Sequence, residues 1–266
     1  MKTPPRTAPD AADRNEAGRI RRTGVKAVLL DIEGTTCPVS FVAETLFPYA
    51  RKGLGPYLER HGGKVELQAL QQELRSGWAQ ETDPEAVALR CQQQESPDET
   101  PNLVPYLHWL IRCDRKDAAL KELQGMVWAE GYALGALQGP LYPDVPEALR
   151  RWHGQGLGLA VYSSGSVAAQ QLLYGHSTAG DLRALFSHWF DTRTGPKQDA
   201  SSYLRIVESL GIASQGVLFI SDAIAELNAA AAAGLQVLFS DRPGNPQRDG
   251  GGFERIGDYG LLELDP

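Results

Sequence analysis

Three apolar runs in this chain each end in a small cluster of polar residues. KAVLL (26–30) is followed by Asp31, Glu33, Gly34, Thr35 and Thr36; GLAVY (158–162) by Ser163, Ser164, Gly165 and Ser166; GVLFI (216–220) by Ser221 and Asp222. Between the second and third runs, Gly195, Pro196 and Lys197 occupy a turn ahead of a helix-like segment. Two carboxylates from different segments, Asp31 and Asp222, are the usual protein share for Mg²⁺, a cation that takes oxygen ligands and keeps several waters. Lys197 supplies a fixed positive charge. Ser163, Ser164 and the amides of Gly165 and Ser166 open a helix, where unbonded N–H groups favour an anion. Together these groups suit phosphoryl transfer, which is driven by positioning and charge neutralisation.

A carboxylate kept ionised by Mg²⁺ and a lysine can attack phosphorus and form an aspartyl phosphate. Asp31 and Asp222 compete for that role. Glu33 lies two residues after Asp31, on the same face of an extended segment, and could protonate a leaving oxygen and then activate water. Asp31 is therefore assigned as nucleophile, Glu33 as acid/base and Asp222 as metal ligand. Each residue also has a plainer reading: Asp31 as a turn former, Glu33 as a solvated loop acid, Ser163 and Ser164 as helix caps, Lys197 as a surface lysine, Asp222 as an N-cap. Glu226 reads as a helix-face charge or as support for the metal site, and Asp199 and Asp241 as accessory acids or, more simply, caps and turns.

These positions need a scaffold that gathers them. Short continuous apolar runs fit strands buried on both faces. From 141 onward, strand-like runs alternate with helical ones: helices over 145–153, 167–173, 201–210 and 224–233, strands over 158–162, 189–190, 216–220 and 236–239. Such alternation implies a Rossmann-like parallel sheet with helices on both faces. From about 38 to 140 Val and Ile thin out and helical spacing takes over, as in Leu67, Leu70, Leu74 and Trp78, and Asp83 before Pro84 marks a capped start. Helices are also expected over 101–113 and 117–134, with Trp109 and Trp128 packing them. The expected fold is an α/β core of residues 25–37 and 141–266, with an all-helical cap, 38–140, inserted after the first strand and a disordered tail over 1–24. A ligand site belongs outside the carboxyl ends of the strands, closed off from water by the cleft between core and cap. The glycines at 154, 156 and 158 lead into a strand rather than out of one, so they form no dinucleotide fingerprint. His153, His176 and His188 lack metal-ligand spacing.

The 266 residues carry a net charge of −7, which argues against nucleic-acid binding. No apolar run is long enough to span a bilayer, and the first residues show no secretory signal. Cys37, Cys91 and Cys113 make neither a zinc pattern nor a disulfide framework, as expected in a reducing cytoplasm.

The Asp-x-Glu-Gly-Thr segment, the serines after the second run, the single lysine and the later acidic segment, in that order, resemble the haloacid dehalogenase superfamily. The form DIEGTT (31–36), with PVSFV and LFPYA (38–50), WAEGYALGALQGPLYPDV (128–145), YSSGS (162–166), GPK (195–197), FISDAIAEL (219–227) and RPGN (242–245), is similar to its enolase-phosphatases of methionine salvage. The resemblance covers about 25–258. It implies a monomeric enzyme with one Mg²⁺ per subunit. That enzyme would enolise 2,3-diketo-5-methylthiopentyl-1-phosphate and then release phosphate and the acireductone. It further implies that Asp31 is nucleophile and metal ligand, that Glu33 offers its backbone carbonyl to the metal and its side chain to acid/base work, that Ser163, Ser164 and Lys197 bind the phosphate, and that Asp222 completes the metal site. Glu33 stands where most phosphatases of the superfamily carry Asp. LFPYA (46–50) is the candidate contact for the methylthio group. Three alternatives are kept: a sugar- or glycolate-phosphate phosphatase, a metal-free dehalogenase using Asp31, and a non-catalytic binding protein.

Overall fold

The structure, a computed structural model, describes residues 18–93 and 102–266. These divide into two compact units, one running up to Val39 and resuming over Gly139–Pro266, the other Ser40–Gln138. The first unit holds the strands β1 (Ile20–Thr23), β2 (Ala27–Leu30), β3 (Gly158–Tyr162), β4 (His188–Phe190), β5 (Val217–Ser221), β6 (Gln236–Ser240), β7 (Arg255–Ile256) and β8 (Leu262–Asp265). Six of them form one sheet in the order β4-β3-β2-β5-β6-β7, with every adjacent pair parallel. Counted within the sheet, this is the doubly wound Rossmann order, 3-2-1-4-5-6. The chain steps outward from β2 to β3 and β4, then returns to the other side of β2 at β5. The reversal lies between β2 and β5, where such folds bind ligands beyond the strand ends.

The reason for the central strand is visible in its burial: Ala27, Val28, Leu29 and Leu30 are fully shielded from solvent, as a strand covered by helices on both faces must be. Leu29, Tyr162, Phe219 and Phe239 join Tyr203 and Ile206 in one apolar cluster. In the order of the chain, the helical segments are α1 (Val39–Phe41), a π-helical turn over Val42–Leu46, α2 (Phe47–His61), α3 (Val65–Gln80), α4 (Pro84–Gln92), α5 (Val104–Arg112), α6 (Ala118–Ala133), α7 (Val145–Gly154), α8 (Val167–Gly175), α9 (Ala200–Leu210) and α10 (Ile224–Ala232).

The second unit has its own core. Leu67, Leu70, Leu74 and Trp78 bury one face of α3 against Leu54, Tyr106, Leu107, Trp109 and Leu123. Trp78 and Tyr106 stack with ring centroids 4.8 Å apart, and Tyr106 stacks on Trp109 at 5.7 Å. Asp83 caps α4 by accepting from the amides of Glu85 and Ala86. Trp128 is half-buried and donates its indole N–H to the Leu46 carbonyl at 2.9 Å. The three cysteines are unpaired thiols. Among the described residues, no helix is long and apolar enough to cross a membrane.

The disordered tail expected over 1–24 needs correction. Residues 1–17 lie outside the described residues, but Ile20–Thr23 is a strand, paired in parallel with Leu262–Asp265. Its arginines suggest a solvated tail, yet they have specific partners: Arg19 meets Glu263 at 2.6 Å, Arg21 meets Asp265 at 2.6 Å and Arg22 meets Glu254 at 2.7 Å. Ile20, opposite Leu262, is 6 % exposed. The Arg19 and Arg21 pairs are exposed and contribute little; the Arg22–Glu254 pair is half-buried, and Ile20 is the buried apolar anchor of the strand. Replacing Ile20 by Ala should cost about 2 kcal/mol in urea unfolding, the low end for deleting buried methyl groups; an unchanged midpoint would show that the strand is not held there.

Candidate active site

The register of the sheet puts the polar clusters side by side. Leu30 is level with Val161 on β3 and with Ile220 on β5, so Asp31, Ser163 and Asp222 all emerge at one edge within a residue or two of those pairs. The Asp31 amide still donates to the Ile220 carbonyl at 3.1 Å, which ties the residue to the sheet before the chain turns away. Asp31 is 6 % exposed.

Lys197 reaches this edge from the segment between β4 and α9. Its ammonium lies 2.6 Å from Asp31 Oδ1 and 2.7 Å from Glu226 Oε2, and the Glu226 carboxylate accepts a further hydrogen bond from Ser221 Oγ at 2.9 Å. Two tyrosines hold the lysine loop by its backbone: Tyr162 donates to the Gly195 carbonyl at 2.8 Å and Tyr203 to the Lys197 carbonyl at 2.7 Å. The Lys197 ammonium also lies 5.7 Å from the centre of the Tyr162 ring. Glycine is required at 195, where φ is +146° and a Cβ would fall 2.2 Å from Ser202 Oγ.

Electrostatically the site is overfilled with negative charge. Burial alone would lower the Lys197 pKa, but the charges and hydrogen bonds of Asp31 and Glu226 outweigh it and raise it. Burial, followed by the nearby charge of Asp31, pushes Asp222 up to about 7, with Lys197 opposing and Glu33 adding. Glu226 and Glu33 are raised for the same two reasons, burial first and Asp31 second, again with Lys197 opposing. A single ammonium does not compensate these acids, so a further cation would be strongly favoured. Among the described residues, no three His, Cys, Asp or Glu side chains converge as a metal cage. The donors on offer are of another kind: two aspartates, Asp31 and Asp222, that follow the adjacent strands β2 and β5. Hard oxygen donors of this number suit Mg²⁺, which keeps the rest of its sphere as water.

At the β3 end, Ser163 is buried and its hydroxyl accepts from the Gly165 amide at 3.2 Å; Ser164 is exposed. Neither caps α8. That position belongs to Ser166, which accepts from the Ala169 amide, and Asp191 takes the Val167 amide. Nor is Asp222 an N-cap, since α10 begins after Ala223 and has no side-chain cap. Asp199 does cap α9, and Asp241 pairs with Arg248 and Arg255. Sequence reasoning gave Glu226 too little weight and missed the tyrosine anchors. The five-residue spacing from Ser221 to Glu226, one helical turn past the strand end, was the available signal. In the helical unit, Leu46 and Ala50 of LFPYA are buried, while Phe47 is 43 % exposed. Phe47 lines a surface cavity of about 430 Å³ with Pro48, Arg51, Lys52, His108 and Ile111, and no carboxylate lines that cavity.

The charge excess has a measurable consequence in metal-stripped protein. Asp222 and Glu226 have folded-state pKa values above their unfolded values, so between about pH 4.5 and 7 the native state binds more protons than the unfolded chain, and stability falls as pH rises. Urea unfolding should give a lower midpoint at pH 7.5 than at pH 5.5, and Mg²⁺ should restore it at pH 7.5. A midpoint that rises over this interval in the absence of metal would contradict the charge arrangement.

Comparison with known proteins identifies the family. Residues 25–234 match the haloacid dehalogenase-like hydrolase family. The chain is 54 % identical over 223 residues to the enolase-phosphatase E1 of Synechococcus sp. strain RCC307, covering 84 % of this chain and 88 % of the relative. It is 49 % identical to that of Synechococcus sp. strain WH7803, covering 90 % of this chain and all of the relative. The crystal structure of the Saccharomyces cerevisiae UTR4 protein superposes with a TM-score of 0.66 at 34 % identity, covering 88 % of this chain and 98 % of the yeast chain. With relatives this similar over nearly their full lengths, the chain belongs to the enolase-phosphatase E1 family of haloacid dehalogenase-like hydrolases.

Proposed function

We propose that the enzyme acts in methionine salvage, enolising 2,3-diketo-5-methylthiopentyl-1-phosphate and then removing its phosphate to leave the acireductone 1,2-dihydroxy-3-keto-5-methylthiopentene. The observation that carries this reading is the buried Lys197 ammonium held between Asp31 and Glu226 at the end of β2, in a chain whose relatives are named enolase-phosphatases.

Asp31 is the nucleophile. One of its carboxylate oxygens attacks phosphorus, and the bond from phosphorus to the enol oxygen breaks. Glu33 gives that oxygen its proton; burial and the Asp31 charge favour the protonated carboxyl this step needs. Once ionised, Glu33 takes a proton from a water that attacks phosphorus, the bond to Asp31 breaks, and phosphate leaves with both carboxyls restored. Ser163, Ser164 and Lys197 bind the phosphoryl oxygens. Asp31, Asp222 and the Glu33 carbonyl would hold one Mg²⁺, which when bound supplies the remaining positive charge. Enolisation requires proton transfer at carbon as well as at oxygen, and the longer reach of Glu33 compared with Asp serves both. The three unpaired cysteines fit a reducing cytoplasm, and the enzyme works as a monomer.

Phosphate release from the diketone phosphate should require Mg²⁺ and stop in EDTA. Asp31→Asn should lower kcat by at least about a thousandfold, the loss expected when an essential nucleophile is removed. Turnover of simple sugar phosphates or phosphoglycolate, with none of the diketone, would overturn the substrate. Glu33→Asp should slow enolisation, followed by diketone absorbance, more than it slows hydrolysis of a preformed enol phosphate. An equal fractional slowing of both steps would remove the role given to the longer side chain.

A further inference from the structure

The turn that carries Asp31 and Glu33 is held through its carbonyls by donors far from it in the chain. The Gly34 carbonyl accepts from Ser240 Oγ at 2.8 Å and from Asn245 Nδ2 at 2.8 Å. The Thr35 carbonyl accepts from the Tyr259 hydroxyl at 3.0 Å and from Arg242 Nε at 3.3 Å. The Thr36 carbonyl accepts from the Tyr142 amide at 3.0 Å. Ser240 ends β6, and Arg242 and Asn245 belong to the RPGN turn that follows it.

Arg242 is the fixed point. It is 2 % exposed, donates to both Asp144 carboxylate oxygens at 2.9 and 2.8 Å and to the Gly257 carbonyl at 2.6 Å, and lies over the rings of Tyr142 and Tyr259 at 4.7 and 4.3 Å. A guanidinium buried this completely cannot shift without stranding its charge, so the RPGN turn is rigid where it meets the Gly34 turn.

Asn245 reaches from that anchor to the site. Both partners of its Nδ2 are carbonyls, Gly34 at 2.8 Å and Ser240 at 3.2 Å, and only an amide N–H can face two carbonyls, which settles the orientation of the side chain. Its Oδ1 is therefore turned away from them; it is buried and has no hydrogen-bond partner. Gly34 has φ of +68°, and a Cβ there would fall 2.2 Å from Asp222 Oδ2 and 2.9 Å from Asn245 Nδ2. The space a side chain would need at Gly34 is thus taken by the Asp222 carboxylate and the Asn245 amide, and the bare backbone packs against both.

We infer that Asn245 is a positioning residue. By holding the Gly34 carbonyl it fixes the turn where it packs against Asp222, and so sets how far the Asp31–Glu33 backbone stands from that second carboxylate. Asn245 touches no reacting atom; it acts through the spacing of the oxygen donors. The inference rests on the Mg²⁺ reading given above, and its test separates the two.

Mn²⁺ is titrated into wild-type, Ser240→Ala and Asn245→Ala proteins, with free Mn²⁺ read by electron paramagnetic resonance. Substrate KM, kcat and thermal midpoints are measured alongside. Asn245→Ala should weaken Mn²⁺ binding at least about tenfold and lower kcat by about 10- to 100-fold, the range for residues that orient metal ligands. Substrate KM should stay within about threefold, and excess Mn²⁺ should recover part of kcat. Ser240→Ala should have a smaller effect, because Asn245 still occupies the shared carbonyl. Should Asn245→Ala fail to fold, Asn245→Ser takes its place in the same measurements. Wild-type Mn²⁺ affinity and kcat in a folded Asn245 variant, or a lowered thermal midpoint with both unchanged, would overturn the inference. No Mn²⁺ binding by the wild type would instead remove the metal reading, and the inference with it.

Discussion

The burial of one ammonium between two carboxylates governs the rest of the site. Lys197 can remain charged in the interior only because Asp31 and Glu226 both touch it, since an unpaired buried charge carries a large desolvation cost. Burial first, and then the charge of the same Asp31 that stabilises the lysine, push Asp222 up to about 7. The pocket is therefore preset with a deficit of positive charge. Such a pocket favours a cation, and with it a phosphoryl group whose oxygens face both the cation and the lysine. Preorganised charge of this kind costs no reorganisation at the moment of reaction.

The sheet exists in its particular order because those residues sit on segments far apart in the chain. Asp31 and Lys197 are 166 positions apart, and only a strand order that reverses at β2 and β5 brings the strand ends between which they meet into one row. The carboxyl edge is generic to the fold; it provides the row and leaves the choice of organic substrate to other parts of the molecule. The helical unit packs around its own Trp78–Tyr106–Trp109 stack, so its surface can vary without disturbing that row.

Much of this was legible before any coordinates. Strands buried on both faces read as unbroken apolar runs, so β2, β3, β5 and β6 stand out from the sequence. α3 follows from the spacing of Leu67, Leu70, Leu74 and Trp78, and the start of α4 from Asp83 and Pro84. What escaped notice has physical reasons. Two of the four residues of β1, IRRT, are charged, and its pairing is set by the distant residues Leu262–Asp265. β7 is two residues long, too short for any period. Glu226 reads as a helix-face charge or as support for the metal site, because nothing local shows that its helix face meets Lys197. Tyr162 and Tyr203 look like ordinary core aromatics; only their hydroxyls, donating to the lysine loop, reveal a second task. Asn245 lies in a loop without periodicity, where its contact with Gly34 could not be read from spacing. Ser166 rather than Ser163 or Ser164 caps α8 because the chain makes one more turn after β3 before the helix begins.

The pairing of β1 with β8 bears on the order in which the protein is completed. Arg19 and its partner Glu263 are separated by 244 positions, and synthesis at ordinary rates takes on the order of ten seconds or more to cover that distance. Throughout that interval Ile20 has no β8 to pack beside, while the sheet from β2 to β6 can already assemble behind it. The two-stranded ribbon thus forms only after the strands from β2 to β6 have been made. A ribosome that stalls short of Leu262 would release a polypeptide with its first strand unpaired, a ready target for proteolytic clearance.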